Sequence, residues 1–173
     1  MRILGIDPGS RKTGFGIIEV KGNQSEYLTS GKVKLTSQTL PERLKVIYQC
    51  LQQLITEYQP DQVAIEEVFF ARDPRAALKL GQARGAAMVA AATLDLPVAE
   101  YSARAVKKSV VGSGAANKEQ VQHMVRRLLN LPAEPGEDAA DALAVALCHA
   151  QTLQFGQQLE GVVKFSRGRI KLQ

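Results

Sequence analysis

Two short apolar segments of this chain each end on a carboxylate, and this pairing limits the available folds more than any other feature. Residues 3–7 are Ile-Leu-Gly-Ile-Asp, and residues 62–66 are Gln-Val-Ala-Ile-Glu. Short apolar runs bounded by turn residues are typical of buried strands. In an open α/β sheet, functional groups collect where the strands end. If the two strands are neighbours, Asp7 and Glu66 face each other across that end of the sheet.

The rest of the pattern predicts a mixed sheet with helices on its faces. Residues 3–7, 14–20 and 26–35 form an antiparallel meander, with turns at 8–10 and 22–23. Strands 62–66 and 97–101 follow, separated by helices 41–58 and 74–94. Ser102, Asn117 and Glu137 then open three more helices. The predicted order is β-β-β-α-β-α-β-α-α-α, which indicates an α/β fold with a mixed five-stranded sheet.

Asp138 and Asp141 lie three positions apart at the start of the last helix, so they share one helical face. Asp138 alone is weak evidence for a site, because the helix dipole favours acids in a first turn. Asp141 is stronger, because its neighbours are alanines and a leucine and an unpartnered buried acid would be costly. If this helix lies over the sheet end, it completes a cluster of four carboxylates.

Four converging carboxylates repel one another, and divalent cations relieve that repulsion. Oxygen ligands without His or Cys favour Mg²⁺ or Mn²⁺ over Zn²⁺. Two such ions about 3.5–4 Å apart would activate a water molecule for phosphodiester hydrolysis. The pattern itself leaves open whether Glu66 or Glu67 points inward.

Length and composition are consistent with one domain of 173 residues and 18.8 kDa. The net charge of +5 makes a polyanionic partner plausible, but is weak evidence by itself. Cys50 and Cys148 form no CxxC motif, and no apolar run approaches the roughly 20 residues of a membrane span. We therefore expect a cytoplasmic protein that does not enter a membrane, with a domain at 1–153 and a basic, flexible tail at 154–173.

Five motifs follow one another along the chain. They are Gly5-Ile6-Asp7-Pro8-Gly9-Ser10 with Thr13-Gly14, Ala64-Ile65-Glu66, residues 78–85 (LKLGQARG), residues 121–125 (VQHMV) and residues 138–143 (DAADAL). Taken together and in this order, they resemble the RuvC family of Holliday junction resolvases, which have the ribonuclease H-like fold. The resemblance covers roughly residues 2–150.

The resemblance implies a function and assigns the site. Glu66, and not Glu67, matches the catalytic position, and Asp7, Asp138 and Asp141 match the other metal ligands. The family implies a homodimer that makes paired nicks in opposing strands of a four-way DNA junction during recombination and repair. It also implies the branch-migration proteins RuvA and RuvB as partners.

Further residues acquire roles through the same resemblance. Phe69 matches an aromatic position that stacks on an unpaired base, and Lys107 and Lys118 match basic residues near the scissile phosphate. Gly81 and Gly85 form a narrow helical ridge, which the sequence alone would pack against the sheet. The family's dimer makes them candidate dimer contacts instead.

Two other functions compete with junction resolution. A phosphate-binding module of the actin and sugar-kinase type also has a first strand that ends in Gly-Ile-Asp, but it needs two domains to enclose ATP. A ribonuclease H-like nuclease of the YqgF group, acting on linear RNA, shares the carboxylate site. Phe69 and the helix containing Gly81 and Gly85 favour the junction.

Overall fold

The order of helices and strands is the predicted one. The structure is a computed structural model, and it describes residues 1–36, 39–67 and 74–166. Along the chain, the elements are β1 (Arg2–Asp7), β2 (Lys12–Lys21), β3 (Gln24–Lys34), α1 (Leu40–Tyr58), β4 (Gln62–Glu66), α2 (Pro74–Ala92), β5 (Val98–Tyr101), α3 (Ala103–Val111), α4 (Lys118–Leu128) and α5 (Glu137–Ser166).

The five strands form one mixed sheet in the order β3-β2-β1-β4-β5. The pairs β1–β2 and β2–β3 are antiparallel, as short turns between consecutive strands require. The pairs β1–β4 and β4–β5 are parallel, and α1 and α2 supply the crossover connections. Strands β1 and β4 are therefore neighbours, and the predicted mixed α/β sheet is confirmed.

Helices cover both faces of the sheet because its central strands alternate between two apolar cores. Leu4 and Ile6 of β1 join a buried cluster with α1 and α2. Ile3 of β1 and Ala64 of β4 join a second cluster with α3, α4 and α5. No helix among the described residues is long and apolar enough to cross a membrane.

Side-chain caps define where two of the shorter helices begin. Ser102 accepts a hydrogen bond from the backbone N–H of Ala105 at the start of α3. Asn117 and Gln120 exchange reciprocal side-chain to backbone hydrogen bonds at the start of α4. Each cap satisfies N–H groups that a helix leaves free at its first turn, which is why the sequence predicted these starting points correctly.

Three glycines let α5 lie directly on the sheet. A Cβ atom on Gly14 would be 2.0 Å from the backbone oxygen of Asp138, and one on Gly5 would be 2.1 Å from that of Ala142. At Gly16, the side chain of Leu143 occupies the corresponding space. Any larger residue at these positions would push the helix away, so the glycines fix the height of α5 above β1 and β2.

A buried histidine connects α5 to the parallel half of the sheet. The Nε2 of His149 lies 2.6 Å from Oε1 of Gln62 in β4, and its Nδ1 lies 2.7 Å from the hydroxyl of Tyr101 in β5. Since an amide oxygen can only accept, Nε2–H donates to Gln62 and the tyrosine hydroxyl donates to Nδ1. Burial lowers the pKa of His149, which is consistent with a neutral ring. The ring therefore ties α5 to β4 and β5.

The last helix is longer than the sequence pattern predicted. Regular periodicity ends near Gln154, yet α5 continues to Ser166. The apolar residues of its first half surround the helix on all sides, so no amphipathic stripe marks its true length. The division between a domain at 1–153 and a tail at 154–173 stays a prediction, but the helix itself passes through that boundary.

Candidate active site

Asp7 and Glu66 lie side by side at the ends of two neighbouring parallel strands. The preceding residues, Ile6 and Ile65, are register partners in the β1–β4 pair. Because side chains alternate along a strand, Asp7 shares a face with Gly5, which lies under α5, and Glu66 shares a face with Ala64. Both carboxylates therefore project toward α5. Glu67 follows the end of the strand and is exposed.

Helix α5 places two further acids above this pair. The backbone of Asp138 lies against Gly14, the register partner of Asp7. The negative charge of Asp141 acts on both Asp7 and Glu66 and raises the pKa of each. The four carboxylates are half-buried and belong to one electrostatic cluster. Strand alternation and the glycine contacts thus bring together four acids that are far apart in the sequence.

The cluster disfavours its own negative charge. Burial, followed by the charges of Glu66, Asp141 and Asp138, raises the pKa of Asp7 from 3.8 to about 8. Burial and the charge of Asp141 raise the pKa of Glu66 from 4.5 to about 7. Burial also raises the pKa of Asp141. A site with these properties takes up protons or cations, and it supports chemistry in which positive charge is bound between the carboxylates.

The two lysines singled out in the sequence lie at this cluster. Lys118, the first residue of α4, contacts the carboxylate of Glu137, and its charge lowers the pKa of Asp7, Glu66 and Asp141. Lys107 in α3 lowers the pKa of Glu66 and Asp141. Because Lys118 is largely exposed, with 61% of its side chain accessible, the ammonium group remains available to a ligand.

Two more lysines, on the opposite side of Asp138, were not among the residues predicted from the sequence. The Nζ atoms of Lys12 and Lys32 lie 3.9 and 3.5 Å from Oδ2 of Asp138. Lys12 begins β2 and Lys32 is near the end of β3, where the antiparallel ladder pairs Lys32 with Gly14. The signal was available in principle: both lysines sit at the same sheet end as Asp7, once the hairpins are aligned in register.

The donor set fits a hard divalent cation. Its four members supply only carboxylate oxygens, which Mg²⁺ and Mn²⁺ prefer. Burial and mutual repulsion already favour positive charge here. Within the described ranges, however, no three His, Cys, Asp or Glu side chains are close enough to share one ion. The chemistry of the donors matches a metal site, and their side chains would have to move toward one another to form it.

The remaining predicted residues lie elsewhere. Phe69 falls outside the described residues. Gly81 and Gly85 are on α2, on the opposite face of the sheet from α5, and no atom of the described ranges lies within 4 Å of a Cβ built on either. The expectation that this ridge packs against the sheet is wrong: α2 instead turns inward the alanines Ala83, Ala87, Ala90 and Ala91. The ridge points outward, where a partner could contact it.

Comparisons with known proteins agree with this geometry. The family model described as crossover junction endodeoxyribonuclease RuvC matches residues 3–149. The crossover junction endodeoxyribonuclease RuvC of Saccharophagus degradans is 58% identical over 169 residues, covering 97% of this chain and 98% of the relative. The structure of Thermus thermophilus RuvC has a TM-score of 0.82 at 38% identity, covering 90% of this chain and 97% of that one.

A further solved structure bears on the substrate. T. thermophilus RuvC in complex with a Holliday junction substrate has a TM-score of 0.84 at 39% identity, covering 90% of this chain and 96% of that one. These matches extend over nearly the whole chain, which confirms the ribonuclease H-like fold class.

Proposed function

The chain belongs to the RuvC family of crossover junction endodeoxyribonucleases, and from that premise we propose that its four clustered carboxylates cut opposing strands of a Holliday junction. The observation that supports this assignment is the convergence of Asp7, Glu66, Asp138 and Asp141 on the α5 side of the sheet end. The products are nicked duplexes, as required in recombination and repair. We also propose that the protein acts in the cytoplasm, as expected from its sequence.

The same four carboxylates hold the metal in this proposal. Mg²⁺ fits them best, Mn²⁺ can substitute, and four acids are enough for two ions. When bound, such ions supply Lewis-acid stabilisation and an activated water molecule for phosphodiester hydrolysis. The protein's contribution is to keep the acids on rigid elements, with two at strand ends and two in the first turns of α5.

Residues around the carboxylates bind and orient the DNA. Lys107 and Lys118 lie on one side of the cluster and are placed to hold the phosphate that is cut. Phe69 follows Glu66 by three positions, and we assign to it stacking on a base where the junction is unpaired. Positive charge beside the acids thus attracts a polyanion that the acids alone would repel.

Paired nicks require two active sites, and the outer face of α2 is our candidate for the contact between subunits. Leu78 and Val89 are 68% and 52% exposed on this helix, and Gly81 and Gly85 lie between them at helical spacing. Small residues flanked by apolar ones allow two helices to approach closely. We therefore propose a homodimer through this face, which cooperates with the branch-migration proteins RuvA and RuvB.

The decisive experiment compares substrates and one isosteric variant. With Mg²⁺, the purified protein should convert a synthetic four-way junction into nicked duplexes and leave linear duplex largely intact. Asp7→Asn should abolish cleavage and keep or strengthen junction binding, because it removes a negative charge without disturbing the lysines.

Asp95→Asn is the matched control for that experiment. Asp95 has a φ of 55°, a left-handed conformation that asparagine tolerates well, and lies just beyond α2. Its cleavage should equal that of the wild type. Equal cutting of linear duplex and junction by the wild type would contradict the proposed function.

A further inference from the structure

A groove opens beside Asp138, between β3 and the segment that joins α4 to α5. Its volume is about 400 Å³, which lies within the usual range of ligand sites. One wall consists of Tyr27 and Lys32 of β3, and the other includes Leu131, Pro132 and Pro135. The groove thus combines an aromatic ring, apolar side chains and one ammonium group, and Asp138 forms its border with the carboxylate cluster.

Lys32 belongs both to the groove and to the carboxylate cluster. Its Nζ is 3.5 Å from Oδ2 of Asp138, and the Nζ of Lys12 is 3.9 Å from the same oxygen. Two ammonium groups therefore lie at one carboxylate. The side chains of Lys12 and Lys32 are 53% and 42% exposed, so each can also contact another anion. Lys118 contacts Glu137 and lowers its pKa, and the charges of Lys12 and Lys32 lower it further.

Tyr27 reaches the groove because of a β-bulge. The β2–β3 ladder pairs Ile17 with Thr29 and Ile18 with Tyr27, so Leu28 is an extra residue on β3. Leu28 packs toward the α1 and α2 core, while Tyr27 lies opposite Ile18 on the α5 side. The Tyr27 side chain is 39% exposed, and its hydroxyl is 3.3 Å from that of Ser30.

The groove leads away from the carboxylates along β3. A second groove, of about 710 Å³, shares Tyr27, Leu131 and Pro132 with the first. It continues past residues 23–26 of the β2–β3 hairpin and the end of α4. The surface therefore has a charged end at Lys12 and Lys32, an apolar middle at Tyr27, and room beyond for a chain to continue.

We propose that Lys12, Lys32 and this groove form a subsite for the DNA strand beside the bond that is cut. A nucleic acid strand carries a phosphate and a base in each nucleotide, and these match the ammonium groups and the apolar aromatic wall respectively. The ammonium groups hold a backbone phosphate next to Asp138, and Tyr27 contacts a base of the same strand. This inference rests on the proposed function, because it assumes a DNA strand in the cleft.

The phosphate half of the proposal is tested by the salt dependence of binding. Junction binding is measured by fluorescence anisotropy in EDTA between about 50 and 200 mM NaCl. Each lost phosphate contact lowers the slope of log Kd against log salt by about 0.9. The double variant Lys12→Gln with Lys32→Gln should therefore lower the slope by about 1–2. Lys45→Gln, an exposed lysine on α1 at the opposite face, should leave it unchanged.

The proposed contact between Tyr27 and a base is tested with a tryptophan whose fluorescence has no background from other tryptophans. The sequence contains no tryptophan, so Tyr27→Trp introduces a single indole at the groove. Its fluorescence should fall when the junction is added, because a base in contact with the ring quenches it. Tyr58→Trp, at the end of α1 and the other end of the sheet, serves as the control and should not respond.

The outcomes separate this inference from the function on which it depends. If the wild type does not bind a four-way junction, the proposed function fails. If the wild type binds and cuts the junction but the double lysine variant keeps the full salt slope, the two lysines only neutralise Asp138 and the subsite is wrong. If Tyr27→Trp still binds the junction but its fluorescence does not change, the DNA strand does not pass through the groove.

Discussion

Asp7 has a more strongly raised pKa than Glu66, its neighbour in the carboxylate cluster. It ends the central strand, is surrounded by three other acids, and has its pKa raised to about 8 by burial and by their charges. An ordinary aspartate would be fully ionised far below that pH. The protein therefore places a carboxylate where it is costly to ionise, and cations bound by the four acids would offset that cost.

The first prediction concerns the stability of the metal-free protein. Between about pH 4 and pH 8, folded Asp7 keeps a proton that the unfolded chain releases, so the free energy of unfolding should fall as pH rises through this window. Glu66 should add to the fall up to about pH 7. Asp7→Asn removes the larger contribution, and at pH 8 it should be more stable than the wild type by about 1 kcal/mol or more.

Urea denaturation in EDTA at pH 4, 6 and 8 provides the measurement. At pH 4 the wild type and Asp7→Asn should be nearly equally stable, and their difference should grow with pH. Asp95→Asn, an acid outside the cluster, should follow the wild type throughout. A difference between wild type and Asp7→Asn that is independent of pH would contradict the assignment of the raised pKa to Asp7.

A second prediction concerns Lys118. Its charge lowers the pKa of Asp7, Glu66 and Asp141. We expect the cleavage rate to rise with pH as these acids lose their protons. In Lys118→Gln this rise should occur at higher pH, because the acids keep their protons to a higher pH. We expect the rate at pH 7 to fall by about tenfold or more, since a positive charge at the scissile phosphate is lost as well.

Single-turnover cleavage of a four-way junction across pH 6 to 9 tests this effect of Lys118. Lys45→Gln makes the same change on the far face of the sheet and should keep both the rate and the profile. A lower rate with an unshifted profile would mean that Lys118 binds DNA without influencing the acids.

At the level of the element, the position of α5 depends on the glycines beneath it. A third prediction follows from Gly14, where a Cβ would be 2.0 Å from the backbone oxygen of Asp138. Because that neighbour is backbone and cannot rotate away, Gly14→Ala should displace the start of α5. The expected cost is about 1–3 kcal/mol of stability, typical of overpacking. The cleavage rate should fall by more than the loss of folded protein explains, since Asp138 and Asp141 move with the helix.

Gly156→Ala is the matched control, because Gly156 lies on the same helix with nothing described within 4 Å of an added Cβ. It should be neutral or stabilising by up to about 1 kcal/mol, as alanine is the better helix former. Thermal melts and cleavage assays on both variants make the comparison. Full activity in Gly14→Ala would show that the acids tolerate a shift of α5.

A helix or strand could be predicted from the sequence where its own residues mark its ends. The caps at Ser102 and Asn117 and the carboxylates that end β1 and β4 marked boundaries locally, so the order of elements could be predicted. The length of α5 could not, because a helix that is apolar on all sides loses its periodic stripe.

Contacts between residues on different strands were also not predicted, because they depend on the register of the hairpins. Lys12 and Lys32 meet at Asp138 through the registers of two hairpins, and a β-bulge brings Tyr27 to the same side. By contrast, the inward direction of Glu66 follows directly from strand alternation once Ala64 is seen in the α5 core. The sequence pattern alone left this direction open, and the family resemblance predicted it.

For the whole molecule, the two faces of the sheet have different tasks. The α5 side carries the acids, the lysines and the groove, while the α1 and α2 side presents the exposed face of α2. In the proposed homodimer, this separation would let two subunits associate through α2 without covering either proposed active site. The small net charge of +5 conceals this arrangement, because the acids and lysines that matter are neighbours.

A fourth prediction tests this arrangement. Because none of the described residues lies within 4 Å of a Cβ on Gly85, Gly85→Leu should leave the subunit folded and at least as stable as the wild type. The leucine would nevertheless hold two α2 helices apart. We expect self-association to weaken by tenfold or more and paired nicking to be lost with it.

Sedimentation equilibrium at micromolar concentration measures the association, and a junction assay that scores both nicks in one event measures its consequence. Gly156→Leu, which adds the same side chain on α5, should remain dimeric. An undiminished dimer in Gly85→Leu would place the interface on another surface.

The bulge at Leu28 also decides which face of β3 can bind a ligand. Deleting Leu28 would give a regular β2–β3 ladder in which Tyr27 still lies opposite Ile18, on the α5 side. The groove would keep its aromatic wall, and only the α1 and α2 core would lose a side chain. A regular ladder that kept Leu28 would instead place Leu28 opposite Ile18 and Tyr27 opposite Glu19, which turns the aromatic ring toward the α1 side. The single extra residue, and not the length of the hairpin, therefore puts the aromatic ring on the binding face.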